Sequence, residues 1–399
     1  MKSSMKVLWA VMAISSAATF KVYAQDQDLG TPNDGPWLFS SRLGAEFTDN
    51  RDGTKANKES NLDVYFEPRA DYRLRDGERT SLDLAVLPMV KWHSNPREGA
   101  SAQNDVEVFG TAALELLHQL TERVNVNFGD AITYNDDPEI QNGANVRYSN
   151  NHIWNTAHAG VEAGVTEKTS VGLNGSYSVK RYNDSVVAEN EDEDIFDVTG
   201  NVKYKTAAGY NLLGQAGYSK FENKSTERQR GSSVVSAGAG VEKAYSPDLF
   251  AKVTAGYQRG SYDDSTLADI NSPNGAAEVT LRGASVTRFR VGASYGLYAP
   301  YVRPYSIQTL TAFNAAVDHD VVSHLTVTLS GQYGRGHYKS EGASLPGGND
   351  DLMMATLGAT YKVNRTWSVA AGYSIENWDS DVRESFTRNS VNVGVKAEL

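Results

Sequence analysis

Seven histidines, at positions 93, 118, 152, 158, 319, 324 and 337, are the residues of this chain best suited to moving a proton near neutral pH or ligating a metal. They are scattered, and no His-Glu-x-x-His pair or Gly-x-x-x-x-Gly-Lys phosphate loop accompanies them. Ser323-His324, and Ser149 near His152, lack a third group to orient a base toward a nucleophile. The chain has no cysteine, which removes thiol catalysis and cysteine-ligated zinc. Gly238-Ala239-Gly240 lacks the third glycine and the helix of a dinucleotide fingerprint and suits strand packing instead. The acidic run Glu189 to Asp194 reads as a solvated outer loop rather than as a divalent-cation site shared with lipopolysaccharide, and so do Asp263-Asp264 with Asp269, which lack calcium-loop spacing. No enzyme activity, cofactor or metal is expected.

The remaining polar chemistry is periodic. Leu62, Val64, Phe66, Ala70, Tyr72 and Leu74 fall on one face of an extended segment, and Asp63, Glu67, Arg69, Asp71 and Arg73 on the other. The alternation recurs at 171–180, 249–258 and 325–333. A soluble sandwich would have to bury the charged face, whereas a water-filled barrel would not. The candidate pore-lining residues are therefore Asp63, Glu67, Arg69, Asp71, Arg73, Lys180, Glu242, Lys252, Arg288 and Arg290. Glu46, Asp83, Glu107, Glu162, Asp197, Arg42, Lys91 and Lys203 share their parity. The two signs nearly balance, so strong anion selectivity is not expected. A hydrated lumen whose mixed charges hydrogen-bond a passing sugar chain is one reading, and cross-lumen ion pairs that only stiffen the wall are the other.

These side chains need strands to position them. From Trp37 to Leu399 about eighteen strand-like runs occur, with sixteen also compatible with the length, since a membrane strand needs about 9 to 11 residues. Compact polar turns at Asp76-Gly77, Glu167-Lys168, Tyr245 to Asp248 and Val363 to Arg365 alternate with longer connections. The longer ones include Thr48 to Asn61, Asn183 to Asp194, Asp263 to Gly275 and Lys339 to Asp350. The expected fold is all-β, a transmembrane antiparallel barrel over 37–399, with its short turns at the periplasmic rim. Val106 to Leu117 reads equally as a short helix, and Glu278 to Arg282 is another weak strand. Pro68 and Pro88 imply bulges or breaks, and Asp130, on the lipid-facing parity, implies a bulge that re-aims it. Tyr298, Tyr301 and Tyr305, near Pro300 and Pro304, read as an interfacial girdle at an outer strand end rather than as a glycan-stacking surface. Trp37, Trp92, Trp367 and Trp378 read likewise as belt or rim residues.

Both ends support an envelope address. Lys2 and Lys6 precede an apolar stretch to Phe20, and Val22-Tyr23-Ala24 suits a cleavage site, so 1–24 reads as a signal peptide and 25–36 as a short periplasmic segment. Losing Lys2, Lys6 and Lys21 takes the net charge from -11 to -14, which disfavours nucleic acid as a partner. The mean hydropathy of -0.46 looks soluble, but alternation conceals a barrel's apolar half from any average. At the other end, Val391, Val393, Val395, Ala397 and Leu399 share one face and Asn392, Lys396 and Glu398 the other. Such a terminal strand suits recognition by barrel insertion machinery and residence among outer-membrane lipid and lipopolysaccharide of a Gram-negative cell.

Several segments of the last third also carry a family resemblance. They are Thr287 to Tyr295, Phe313 to Asp320, Leu357 to Arg365, Val369 to Ser374 and Thr387 to Gly394. In this order they resemble the beta-barrel porin type 2 family of outer-membrane proteins, encoded alongside exopolysaccharide synthesis and export systems. The resemblance implies an eighteen-strand porin serving as the exit conduit for an exopolysaccharide cargo, working with a periplasmic polysaccharide export protein. A general or solute-specific diffusion porin is the alternative, and an enzyme or adhesin built on the same barrel a more distant one.

Overall fold

The computed structural model describes residues 36–76, 79–96, 104–135, 140–141, 145–146, 151–223, 231–283, 286–300, 305–341 and 346–399. The expected signal peptide, nearly all of the 25–36 segment, Gly77, Tyr301 and Pro304 lie outside them. The wall is built from β1 (Trp37–Thr48), β2 (Asn61–Asp76), β3 (Thr80–His93), β4 (Val106–Thr121), β5 (Val124–Asn135), β8 (His152–Gly164), β9 (Thr169–Tyr182), β10 (Glu193–Lys205) and β11 (Asn211–Asn223). It continues through β12 (Ser232–Ser246), β13 (Leu249–Tyr262), β14 (Ile270–Gly283), β15 (Thr287–Tyr298), β16 (Gln308–Val322), β17 (Leu325–Tyr338), β18 (Gly348–Lys362), β19 (Trp367–Ser380) and β20 (Phe386–Glu398). These form one 18-stranded sheet, every neighbour antiparallel. The short strands β6 (Ile140–Gln141) and β7 (Asn145–Val146) make a separate hairpin between β5 and β8.

β1 pairs with β20 from Ser40↔Glu398 to Thr48↔Ser390, so the sheet closes on itself and leaves no edge. Closure is what lets strands cross lipid, because every strand of the wall then has a neighbour on both sides to take its backbone hydrogen bonds. The 12 residues of β1 and 16 of β2 exceed the ~9 to 11 needed to span the hydrocarbon, so both ends project as rims.

Alternation sorts the side chains as the sequence implies. Leu43 and Phe66 are exposed on the outer surface and directly opposed in register, as are Phe47 and Leu62. Val391, Val393 and Val395 of β20 continue the same outer row. Outward aromatics form two girdles: Trp37, Tyr204, Tyr245, Phe289 and Trp367 toward the rim of short turns, and Phe196, Tyr218, Tyr257, Tyr295 and Tyr333 toward the rim of long loops. That spacing matches an apolar band between two interfaces.

The short turns are fixed locally. The hydroxyls of Thr121, Thr166 and Ser246 and the amide oxygen of Asn364 each accept from the backbone N–H groups two and three residues on. Register shifts occur at Gln119/Thr121, Ala244/Ser246 and Asp320/Val322, each before a two-residue turn, where extra twist helps the chain reverse.

Several expectations need correction. Val106 to Leu117 is strand, because its outward Val106, Val108 and Leu114 match the apolar row of β3. Asp130 has no bulge: it stays on the outward row between Phe128 and Ile132 and accepts a 2.7 Å hydrogen bond from Asn155 Nδ2. At Pro68 and Pro88 the expected break is present, without a bulge or register shift. They face one another on a single seam, where Glu67, Pro68 and Arg69 lack ladder partners opposite Met89, Pro88 and Leu87 while the register continues unchanged on either side. Pro88 also faces Gly110 of β4, where a Cβ would lie 2.8 Å from the Leu87 carbonyl oxygen.

Both short and long connections are shorter than expected. Tyr245 belongs to β12, and β14 begins at Ile270 despite Pro273. Pro273 pairs only with β13, since pairing with β15 begins at Gly275, so its missing N–H removes no bond on that side. The span from Asn183 to Asp194 holds a short helix, α1 (Ser185–Glu191), whose first turn is capped by Asp184 Oδ1 accepting from the Val187 N–H, and β10 starts at Glu193. β18 likewise starts at Gly348.

Candidate functional site: the barrel lumen

Every one of the ten candidate residues lies on the inward row. Arg69 and Asp71 form a fork within β2, with Nε 2.7 Å from Oδ2 and Nη2 2.9 Å from Oδ1. Arg73 approaches Asp83 of β3 at 4.0 Å, the same carboxylate that Arg75 holds at 2.8 Å. Glu67 stands opposite Arg42 of β1. Asp63 meets His93 Nδ1 at 2.7 Å, and His93 Nε2 lies 3.4 Å from Glu107 of β4, so three strands are tied together by one buried imidazole. On the far wall Lys203 pairs with Glu242 at 2.8 Å, and Lys252 is set by register between Glu242 and Glu278. Arg290 reaches Asp318 of β16 at 3.0 Å and Arg288 approaches it at 4.0 Å.

Position in the inward row is not the same as contact with water. Lys180 is 1% exposed, with its ammonium 5.1 Å from the Tyr182 ring centroid, and Glu242 is 4% exposed. Both are sealed within the wall. Arg73, Arg288 and Arg290, at 33%, 43% and 35% side-chain exposure, face open space near the short-turn rim.

The long-loop rim is closed in by chain. Residues 305–307, just before β16, turn inward: Ile307, 1% exposed, packs with Val234, Ile270 and Leu297. Val234 and Ile270 belong to the inward row. Gly260 of β13 makes the room, since a Cβ there would stand 2.8 Å from Ile307 Cδ1 and 3.2 Å from Leu297 Cδ1. The Ser232 hydroxyl donates to the Ser306 carbonyl at 2.9 Å, while the Ser306 N–H and hydroxyl donate to Glu341 at 2.7 and 3.2 Å. Tyr305 stacks near Tyr338, centroids 4.7 Å apart, and donates to the Pro346 carbonyl at 2.6 Å. The β15–β16 and β17–β18 connections are thus locked to each other and to the inner wall. Burial pushes the Tyr305 phenol above its ordinary pKa, and Glu341 and Asp350 add to the shift. Beside them Arg383 lies 3.3 Å from Asp350 and 3.4 Å above the Trp378 ring. Burial lowers its guanidinium's pKa, while Asp350, Tyr338 and Glu376 oppose the shift.

Tyr298 and Tyr305 are therefore no girdle. Tyr298 is on the inward row and Tyr305 is buried in the folded-in loop. Trp378, 2% exposed on the inward row against Leu352 and Phe386, is not a belt residue either, whereas Trp37, Trp92 and Trp367 are exposed on the outer surface. Parity alone could have flagged Tyr298 and Trp378.

Other inward charges escape the sequence reading. Glu115 lies 3.3 Å from His158, and Glu376 lies 3.5 Å from Arg388. Glu278, Asp318 and Glu376 share the parity rule that found their partners, and the rule would have found them too. Gly292-Ala293-Ser294-Tyr295-Gly296 spells Gly-x-Ser-x-Gly, a pattern also passed over. It lies in the extended run of β15, with Ser294 opposite Ala276 and Ala312, and not at a strand-to-helix elbow that would present a nucleophile. Among the described residues no group of three or more His, Asp or Glu is arranged to hold a metal ion.

A family model described as "Putative beta-barrel porin 2" matches residues 35–399. No curated protein matches the sequence. Among solved structures, a BenF-like porin from Pseudomonas fluorescens Pf-5 is 12% identical, covering 93% of this chain and 100% of that one, with a TM-score of 0.51. Pseudomonas aeruginosa OccK2 (OpdF), solved in complex with glucuronate, is 12% identical over 92% of this chain and 98% of that chain, with a TM-score of 0.49. Acinetobacter baumannii OccAB3 is 11% identical over 92% and 100%, also at 0.49. At such identities the likeness is one of fold.

Proposed function

The chain belongs to this family of beta-barrel porins, and from that premise we propose that it is a diffusion channel for small polar solutes across the outer membrane of a Gram-negative bacterium, with its short turns toward the periplasm. Outer-membrane residence is supported by the family, by the closed barrel and by the two aromatic girdles. A channel fits family and fold better than an enzyme does.

One observation carries the transport reading. An eighteen-stranded wall is wide enough to leave an aqueous bore. Among the described residues, the buried apolar clusters that could fill it are confined to the long-loop rim: Val234, Ile270, Leu297 and Ile307; Leu352 and Trp378; Tyr305 and Tyr338. Below them charged, amide, hydroxyl and glycine positions predominate on the inward row, broken by Tyr65, Leu87, Leu117, Leu213 and Phe250, with Arg73, Arg288 and Arg290 open to water. The charges alternate in sign, which suits polar solutes of either charge.

The export of an exopolysaccharide, which the family resemblance implies, draws no support from the fold likeness. A mouth narrowed by the docked 305–307 segment suits small solutes better than a polymer. Purified protein in planar bilayers should give discrete conductance steps, and liposomes carrying it should swell faster in monosaccharide than in long oligosaccharide. A barrel that passes no ions would end the channel reading. A gene-deletion strain that loses surface polysaccharide while taking up small nutrients normally would replace it with export.

A further inference from the structure

Three arginines of β14 and β15 lie close together on the inward row at the short-turn end of the bore. Arg282 near the end of β14 and Arg288 near the start of β15 are directly opposed in register on the inward row, and Arg290 lies two residues further along β15. Like charges at opposed positions destabilise a sheet, so this pair asks for a third party. The register partner of Arg288 on β16 is Asp318. Both of its oxygens are engaged, Oδ2 by Arg290 Nη2 at 3.0 Å and Oδ1 by the Thr328 hydroxyl at 2.8 Å. Arg288 stays 4.0 Å away, beyond hydrogen-bond range. Arg282, exposed, has no ion-pair partner among the described residues. The next acids are Glu278, which stands opposite Lys252, and Asp320, one oxygen of which accepts from the Thr326 hydroxyl.

We propose that Arg282, Arg288 and Arg290 form a subsite for the oxyanion group, carboxylate or phosphate, of a permeating solute at this end of the bore. The inference rests on the channel reading above and adds the chemical class of one group that the channel receives. Guanidinium forks match planar and tetrahedral oxyanions through paired N–H donors. The exposure of all three side chains permits both arrival and departure, as passage demands.

The intact purified protein can be titrated calorimetrically in detergent with succinate and, separately, with inorganic phosphate. The same solutes can be added to the short-turn side of single channels. Saturable binding and brief current interruptions are expected in the parent. R282Q/R288Q should weaken binding about tenfold or more, as loss of charge-assisted hydrogen bonds predicts, and remove the interruptions. K362Q, the loss of one positive charge on β18 at the same rim, should do neither. Tighter succinate assigns a carboxylate, and tighter phosphate assigns a phosphate. Absence of saturable binding of either probe to the parent, or equal weakening by K362Q, overturns the subsite. If the double variant does not reach the heat-modifiable folded form, R282Q alone carries the comparison. Binding without conductance would refute the channel and leave the subsite standing, and conductance without binding would do the reverse.

Discussion

The docking of Ile307 against the inner wall can be perturbed at one atom group. Ile307 is 1% exposed among Val234, Ile270 and Leu297, and Ile307→Ala removes the methyls that fill the space above Gly260. Burial-to-cavity changes of this kind cost about 2 to 5 kcal/mol in closed cores, and at a rim where chain and water can refill the space the lower end applies, about 2 kcal/mol. At 1.4 kcal/mol per tenfold, the undocked population should rise about 30-fold. Ser232 lies beneath the segment, nearly fully buried, with its hydroxyl donating to Ser306. Because the chain has no cysteine, S232C gives a single reporter whose reaction with a polar thiol reagent tracks the undocked fraction. The labelling rate in S232C/I307A should exceed that in S232C by about this 30-fold factor, with raised basal conductance in the I307A channel. A rate within about threefold, too small a change for the loss of a buried isoleucine, would show that Ile307 does not hold the segment down.

Three further outcomes follow from the wall. Val393 faces outward and Lys396 inward, so in vesicles V393C should resist a polar thiol reagent that modifies K396C readily, and equal rates would place the register one residue out. Replacing Arg69, Arg73, Arg288 and Arg290 with Glu should move the reversal potential in a salt gradient toward cations, and an unmoved potential would place these side chains away from the ion path. D130L should raise the unfolding free energy of the barrel in urea by about 1 to 2 kcal/mol, because an outward carboxylate between Phe128 and Ile132 is a cost in lipid that its bond to Asn155 only partly offsets; a lowered value would mean that the pair serves the wall.

The barrel was legible because alternation is a local property. Leu62 through Leu74 against Asp63 through Arg73 sets the facing of β2 without any knowledge of its neighbours, and eighteen such runs emerge. What could not be read locally is what loops do. Tyr305 looks like any tyrosine near a strand end until the segment folds inward onto Tyr338 and Pro346. Lys180 has the correct parity for the bore, yet it is 1% exposed, its ammonium against the Tyr182 ring. Pro273 and its asparagine neighbours spell a turn, and the strand tolerates them only because β15 does not reach that far. Asp130 shows the converse: a carboxylate on the wrong parity invites a bulge, but a neighbouring amide supplies a partner without one.

The facing prolines of β2 and β3 give the tube a crease. Elsewhere adjoining strands are laced continuously or slip by one residue at a turn, but here three successive rungs are missing halfway up one seam. A cylinder with one soft line along its wall does not breathe evenly; it flattens across the diameter that meets the crease. Glu67 and Arg69 sit on that line, so their distance to the opposite wall should vary more than that of any other inward charges. Spin labels placed across the bore would read this as a broad distance distribution at position 67 and a narrow one at position 252, and similar widths at both would mean that the crease is stiff. In such a tube the cross-section offered to a passing solute is an ellipse whose eccentricity fluctuates, its long axis fixed by where two pyrrolidine rings happen to meet.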